Sequence, residues 1–145
     1  MLGACFNLMN GRKILLVDDD EVFVRTMSMR LSAEGHEVVT AEDGAGAVSA
    51  LRQGKPDLVL LDILYPPDVA HGGGVAWDGF LLADWLRRMG GVADTPVIFI
   101  TAADPAQYVD RARKAGAAGL LPKTLEPDEM MRVIRRVLDR AARVS

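Results

Sequence analysis

Residues 13–21 read KILLVDDDE, an apolar, strand-like run that passes without a break into three aspartates and a glutamate. A short hydrophobic run of this kind, with no polar alternation, is what a strand buried on both faces looks like. The same grammar recurs along the chain. Residues 57–61 (DLVLL) lead into Asp62, residues 97–100 (VIFI) into Thr101, and residues 118–121 (AGLL) through Pro122 into Lys123. A fifth run at 37–40 (EVVT) lies between the first two.

The segments between these runs repeat at three and four residues rather than two. Phe23, Met27 and Leu31 form an i, i+4, i+8 stripe that Gly35 closes, and Ala47, Val48 and Leu51 mark a shorter helix ending near Gly54, before Pro56. Asp78 reads as the N-cap of a third helix bearing Phe80, Leu81, Trp85 and Leu86, stopped at Gly90-Gly91. Asp104-Pro105 opens a fourth that Gly116 closes. Glu126-Pro127 opens a fifth with Met130, Val133, Ile134, Val137 and Leu138 on one side. Strands alternating with helices predict an α/β fold, a flavodoxin-like doubly wound sheet of five parallel strands in the order 2-1-3-4-5 with five helices.

The chain has 145 residues, half of them hydrophobic, enough for one core. A net charge of −3 with mixed signs gives no electrostatic footprint for nucleic acid or an anionic membrane surface. Cys5 is the single cysteine and has no partner for an internal disulfide. The opening MLGACFNLMN lacks the basic leader and apolar length of a signal peptide, and no run approaches the roughly 20 apolar residues of a membrane span. The expectation is a cytoplasmic protein with a tail at 1–11 and one domain at 12–145.

In the order 2-1-3-4-5, strands one and three are neighbours where the winding reverses, and ligands bind at their carboxyl ends. Asp18, Asp19 and Asp62 therefore converge. Two like charges about 4 Å apart cost on the order of 4 kcal/mol at an effective dielectric near 20, so a cation is expected among them. Oxygen donors without His or Cys select Mg²⁺, with Mn²⁺ as the alternative. Metal, carboxylate, hydroxyl and ammonium together are the inventory of phosphoryl transfer: Asp62 as nucleophile, Thr101 to bond a phosphoryl oxygen, Lys123 to neutralise charge.

KILLVDDDE, AEDG at 41–44, LVLLDILYP at 58–66, VIFITA at 97–102 and GAAGLLPK at 116–123 together make the chain resemble the receiver domain of two-component response regulators, in its stand-alone chemotaxis-type form. The resemblance covers about residues 12–143. It implies a phosphoacceptor at Asp62, metal held by Asp19 with Asp18 assisting through water, and a third contact from the backbone carbonyl of Leu64. It also implies a histidine kinase or phosphotransfer protein as donor, and a switch in which Thr101 moves toward the phosphoryl group. Such a domain is a signalling module, not an enzyme beyond its own phosphorylation and dephosphorylation. No output segment follows the last helix, so the expected output is an unidentified protein partner, or the rest of a larger regulator, with a homodimer through the last two helices as an option.

Three features depart from that family pattern. Residues 66–77 (PPDVAHGGGVAW) insert a loop beside Asp62, read as a lid or partner selector against the plain reading of a surface excursion. Leu120 stands where receivers usually carry an aromatic. Pro122 precedes Lys123 where receivers commonly have proline after the lysine; a cis bond to Thr124 would cost about 3 kcal/mol, so a trans peptide and an altered approach of Lys123 are expected.

Rival functions fit the residues less well. A phosphatase of the haloacid-dehalogenase type requires a second acid where Leu64 stands, and a flavodoxin relative requires a phosphate loop where this chain has aspartates. The alternative with most support is a pseudo-receiver, an interaction module that transfers little or no phosphate. Among the remaining polar residues, Asp20 reads as a helix cap. His36 and His71 read as solvated, and Arg132, Arg135, Arg136, Arg140 and Arg143 as the wet face of the last helix.

Overall fold

The structure, a computed structural model, describes residues 11–63, 79–89 and 93–144. Five strands, β1 (Lys13–Val17), β2 (Glu37–Ala41), β3 (Leu58–Asp62), β4 (Val97–Thr101) and β5 (Gly119–Pro122), pair in parallel in the order β2-β1-β3-β4-β5. Five helices connect or follow them: α1 (Glu21–Ala33), α2 (Gly44–Gln53), α3 (Gly79–Met89), α4 (Val109–Lys114) and α5 (Pro127–Val144). The expected doubly wound fold is the observed one.

Local chemistry sets the helix starts. Asp20 caps α1, its side chain accepting from the Val22 and Phe23 amides, and Asp43 caps α2 through Gly46 N–H at 2.7 Å. Asp104 caps a 3₁₀ turn, Pro105–Tyr108, which leads into a short α4; the fourth helix is thus split where one continuous helix was expected. Gly35, with φ 93°, turns the chain after α1 in a backbone region that side chains disfavour.

Strand residues alternate between two cores. Leu15, Val17, Val59, Leu61 and Phe99 pack under α2, α3 and α4, whereas Ile14, Leu16, Leu58, Leu60 and Ile100 pack under Met27 and Leu31 of α1 and Met130, Ile134 and Leu138 of α5. The alternation in β3 continues to Asp62, which shares the side of Leu58 and Leu60 and so faces α1.

Several expectations need correction. β3 and β5 each start one residue later than the apolar runs suggest. Asp57 stays outside β3 because its side chain accepts from Lys13 N–H at 2.8 Å while its own N–H donates to Lys13 O at 2.7 Å, closing the start of the β1–β3 pair. His36 is half-buried rather than solvated: its Nδ1 accepts from Arg12 N–H at 3.1 Å. The described residues contain no cis peptide, so the bond from Lys123 to Thr124 is trans as expected. The tail at 1–10, Leu64, the 66–77 insertion with His71, the Asp78 cap and Gly90-Gly91 lie outside the described residues.

Candidate functional site

β1 and β3 run side by side with Val17 opposite Leu61, which sets Asp18 level with Asp62 at the carboxyl edge. One oxygen from each of Asp18, Asp19 and Asp62 lies within 4.8 Å of the others. Asp18 is 1% exposed and Asp62 5%, while Asp19 faces solvent. Charges this close repel by about 3–4 kcal/mol per pair at an effective dielectric near 20.

One cation from the chain offsets part of that repulsion. Lys123 Nζ lies 2.8 Å from Asp18 Oδ2, 3.6 Å from Asp62 Oδ2 and 3.7 Å from Asp20 Oδ2. Burial alone would lower the Lys123 pKa, but the pairing with Asp18, then the charges of Asp62 and Asp20, outweigh it and raise it above the ordinary lysine value. Lys123 has Asp18 and not Asp62 as its nearer partner. Asp20, expected only as a cap, has a double part: Oδ1 caps α1 and Oδ2 faces the ammonium.

The donor set fits a hard divalent cation. Asp18 Oδ1 accepts from Asp20 N–H at 2.9 Å, but the buried Oδ2 accepts no well-aligned hydrogen bond and is met by the ammonium alone among the described residues. A buried carboxylate oxygen in that condition, beside two more carboxylates, is a group with coordination to spare. An open depression of about 290 Å³ lies on the β2 side of Asp18 and Asp19, lined also by Glu21, Arg25, Thr40 and Glu42.

Thr101 ends β4 one residue beyond Ile100, the register partner of Asp62, and is fully buried. Its Oγ1 accepts from Ala103 N–H at 3.0 Å, and its carbonyl accepts from Lys123 N–H at 2.7 Å, so backbone pairing brings the hydroxyl and the lysine to the same edge. Leu120, in β5, is half-buried against the core that holds Phe99. The α5 arginines Arg132, Arg136 and Arg140 line an exposed depression on their own helix, and Arg135 pairs with Glu34, the C-cap of α1.

Two residues at the site were not singled out as functional from sequence. Gly79 N–H donates to Ile63 O, and a Cβ built on Gly79 would come within 2.8 Å of Ile63 Cα and closer still to the Asp62 carbonyl. Only glycine allows α3 to start this near β3. The Phe23 ring centroid lies 5.0 Å from Lys123 Nζ. Its place at the head of the α1 stripe, one turn past the aspartates, was the available signal.

A family model of the response regulator receiver domain matches residues 14–135. The chain is 32% identical over 91% of its length to the DNA-binding dual master transcriptional regulator RpaA of Synechocystis sp., of which it covers 51%. To the protein PilH of Pseudomonas aeruginosa it is 31% identical over 87% of its length, covering 97% of that protein. The chain thus spans about half the length of several curated relatives and nearly all of another. The non-phosphorylated receiver domain of HemR from Leptospira biflexa superposes with a TM-score of 0.72 at 32% identity, covering 87% of this chain and 93% of that one.

Proposed function

The chain belongs to the response regulator receiver domain family, a class of signalling domain, and on that premise we propose that it accepts a phosphoryl group on Asp62 in a divalent-cation-dependent reaction. The observation that carries this reading is the clustering of the Asp18, Asp19 and Asp62 carboxylates at the carboxyl edge of the sheet, with the Lys123 ammonium against the two buried ones, Asp18 and Asp62. Buried carboxylates at this density are costly unless positive charge compensates them, which a divalent cation beside Lys123 would supply.

Each residue has a part in the proposed transfer. An Asp62 carboxylate oxygen attacks phosphorus as the bond to the donor's leaving atom breaks, the donor departing with a proton and Asp62 becoming an acyl phosphate. Asp18 and Asp19 would hold Mg²⁺ together with Asp62, and the Leu64 carbonyl is the proposed further ligand; the bound ion would supply positive charge for the phosphoryl oxygens. Lys123, already 3.6 Å from Asp62 Oδ2, pairs with the same oxygens. The Thr101 hydroxyl, whose oxygen accepts from Ala103 N–H, donates its proton to a phosphoryl oxygen, which pulls the loop after β4 inward and changes the α4–β5–α5 surface read by an output partner. Histidine kinase or phosphotransfer protein as donor, a receiver domain spanning 12–145 and a regulatory part for the 66–77 insertion complete the proposal.

Intact mass after incubation with acetyl phosphate, with and without Mg²⁺, tests it. The expected result is one phosphate added, only with the cation. A folded protein that binds Mg²⁺ but gains no phosphate would overturn this reading in favour of the pseudo-receiver.

A further inference from the structure

The Lys123 ammonium is enclosed on more than its acidic side. Asp18 and Asp62 stand on one flank, and the face of the Phe23 ring, centroid 5.0 Å away, stands on another. The ring is aimed there by the helix cap, because Asp20 Oδ1 accepts the Phe23 N–H at 3.2 Å while Asp20 Oδ2 lies 3.7 Å from the same ammonium. The lysine side chain is only 14% exposed, a partly desolvated setting in which attraction between an ammonium and an aromatic face exceeds that of an open surface pair.

Building on the phosphoacceptor reading, we infer that Phe23 is a positioning residue for Lys123, keeping the ammonium in the site when a divalent cation takes over Asp18 and delivering it to the phosphoryl oxygens on Asp62. Asp18 Oδ2 faces the ammonium at 2.8 Å, and with Oδ1 already accepting from Asp20 N–H it is the oxygen of Asp18 with coordination to spare for a divalent cation. Two cations do not share one carboxylate oxygen without repulsion. A lysine displaced from Asp18 has an easy alternative, because its flexible stem lets the ammonium swing out to water. The Phe23 face opposes that escape and carries no negative charge to compete for the metal. Its attraction spreads over a broad face, so the ammonium can pass from Asp18 to Asp62 without losing it.

This part is separable from ordinary core filling. Phe23 is partly buried against the core shared by α1 and α5, a role that leucine would largely retain. Phe23→Leu keeps the apolar contact and removes the π face; Phe23→Tyr keeps both. Three readouts apply to each variant: Mg²⁺ affinity of the unphosphorylated protein by calorimetry, the rate of phosphate uptake from acetyl phosphate at saturating Mg²⁺, and the thermal midpoint as a check on folding.

With Phe23→Leu, uptake slows by about threefold to tenfold, while Mg²⁺ binds about twofold to threefold more tightly, because the freed ammonium no longer contests Asp18. Phe23→Tyr behaves as the natural protein. In a Lys123→Ala background, Phe23→Leu changes neither quantity, since the ring acts through the lysine. Both quantities unchanged, both weakened together as in a loosened site, or an effect that persists without Lys123 would each overturn the inference. Failure of the natural protein to take up phosphate would instead overturn the phosphoacceptor reading, and the Mg²⁺ affinities would still decide whether Phe23 holds the ammonium.

Discussion

Asp57 precedes β3 and Asp62 ends it, with four apolar residues, Leu58 to Leu61, between the two carboxylates, and their surroundings are opposite. Asp57 is exposed and occupied: Oδ2 accepts from the Lys13 backbone, and beside it His36 Nδ1 accepts from Arg12, so the amino edge of the sheet is closed by the chain's own donors. Asp62 is buried beside Asp18, Asp19 and an ammonium whose nearest carboxylate is Asp18. At one edge carboxylate and imidazole complete the backbone; at the other, three carboxylates crowd one another and draw in a lysine. The lesson is that burial beside like charges, and not the presence of acids, separates a site from a strand end.

The sharpest way to break this contrast is to remove each carboxylate in turn. Asp62→Asn is expected to abolish phosphate uptake in an intact-mass assay. Asp57→Ala should leave the uptake rate within about twofold and cost about 1 kcal/mol of stability in urea, the worth of one backbone-directed hydrogen bond.

Lys123→Ala probes how far the carboxyl edge depends on the Lys123 ammonium. Asp18 Oδ2 would be left buried and unmet, and unfolding without metal should become easier by about 2–3 kcal/mol, the low end for a broken buried pair because the lysine is partly open to water. Mg²⁺ still binds this variant and restores much of the lost stability, while Thr101 and the loop after β4 no longer respond to phosphate. Amide chemical shifts of residues 101–108, recorded with and without acetyl phosphate, check the last point.

Gly79→Ala sharpens the comparison from the backbone side, since a helix start presses against the carboxyl end of β3. Overpacking of this kind should cost about 1–3 kcal/mol in urea, with slower uptake at Asp62, whereas a substitution beside Asp57 would leave uptake alone.

The smallest effect belongs to the amino edge and to pH. Burial holds the His36 pKa below its ordinary value; Arg12 and Arg135 add to this, and Glu34 and Asp57 oppose it. The unfolded chain then binds a proton more readily than the folded one, so the stability contributed by neutral His36 is present above about pH 6.5 and is lost as pH falls through 6.5 toward the folded value. His36→Asn keeps an acceptor for Arg12 N–H without the charge, and urea midpoints measured between pH 7.5 and about 5.5 should fall less steeply for the variant than for the natural protein.

The strands, their order and the meeting of Asp18, Asp19, Asp62, Thr101 and Lys123 at one edge were legible in sequence because each rests on a short-range pattern plus one topological rule. What escaped was set by contacts between distant segments. Asp57 looks like the first residue of a strand until Lys13, 44 residues away in sequence, is seen to hold it outside. His36 looks solvated until Arg12 donates to it. Which carboxylate Lys123 lies against has no local signal: register sets Asp18 level with Asp62, and the ammonium lies nearer the fully buried Asp18. Phe23 was read as core because its spacing is that of a core stripe, and nothing local distinguishes a ring that also faces an ammonium. Gly79 was missed because close backbone approach leaves no periodicity.

The measurement that bears most directly on the contrast between the two ends of β3 is the position of the phosphate. Brief treatment with acetyl phosphate and Mg²⁺, followed by borohydride reduction of any acyl phosphate and peptide mass analysis, marks the aspartate that carried it. Reduction confined to Asp62 and dependent on Mg²⁺ is the predicted result; reduction at Asp18, Asp19 or Asp57, or a mark at Asp62 that forms equally well without the cation, would contradict the account.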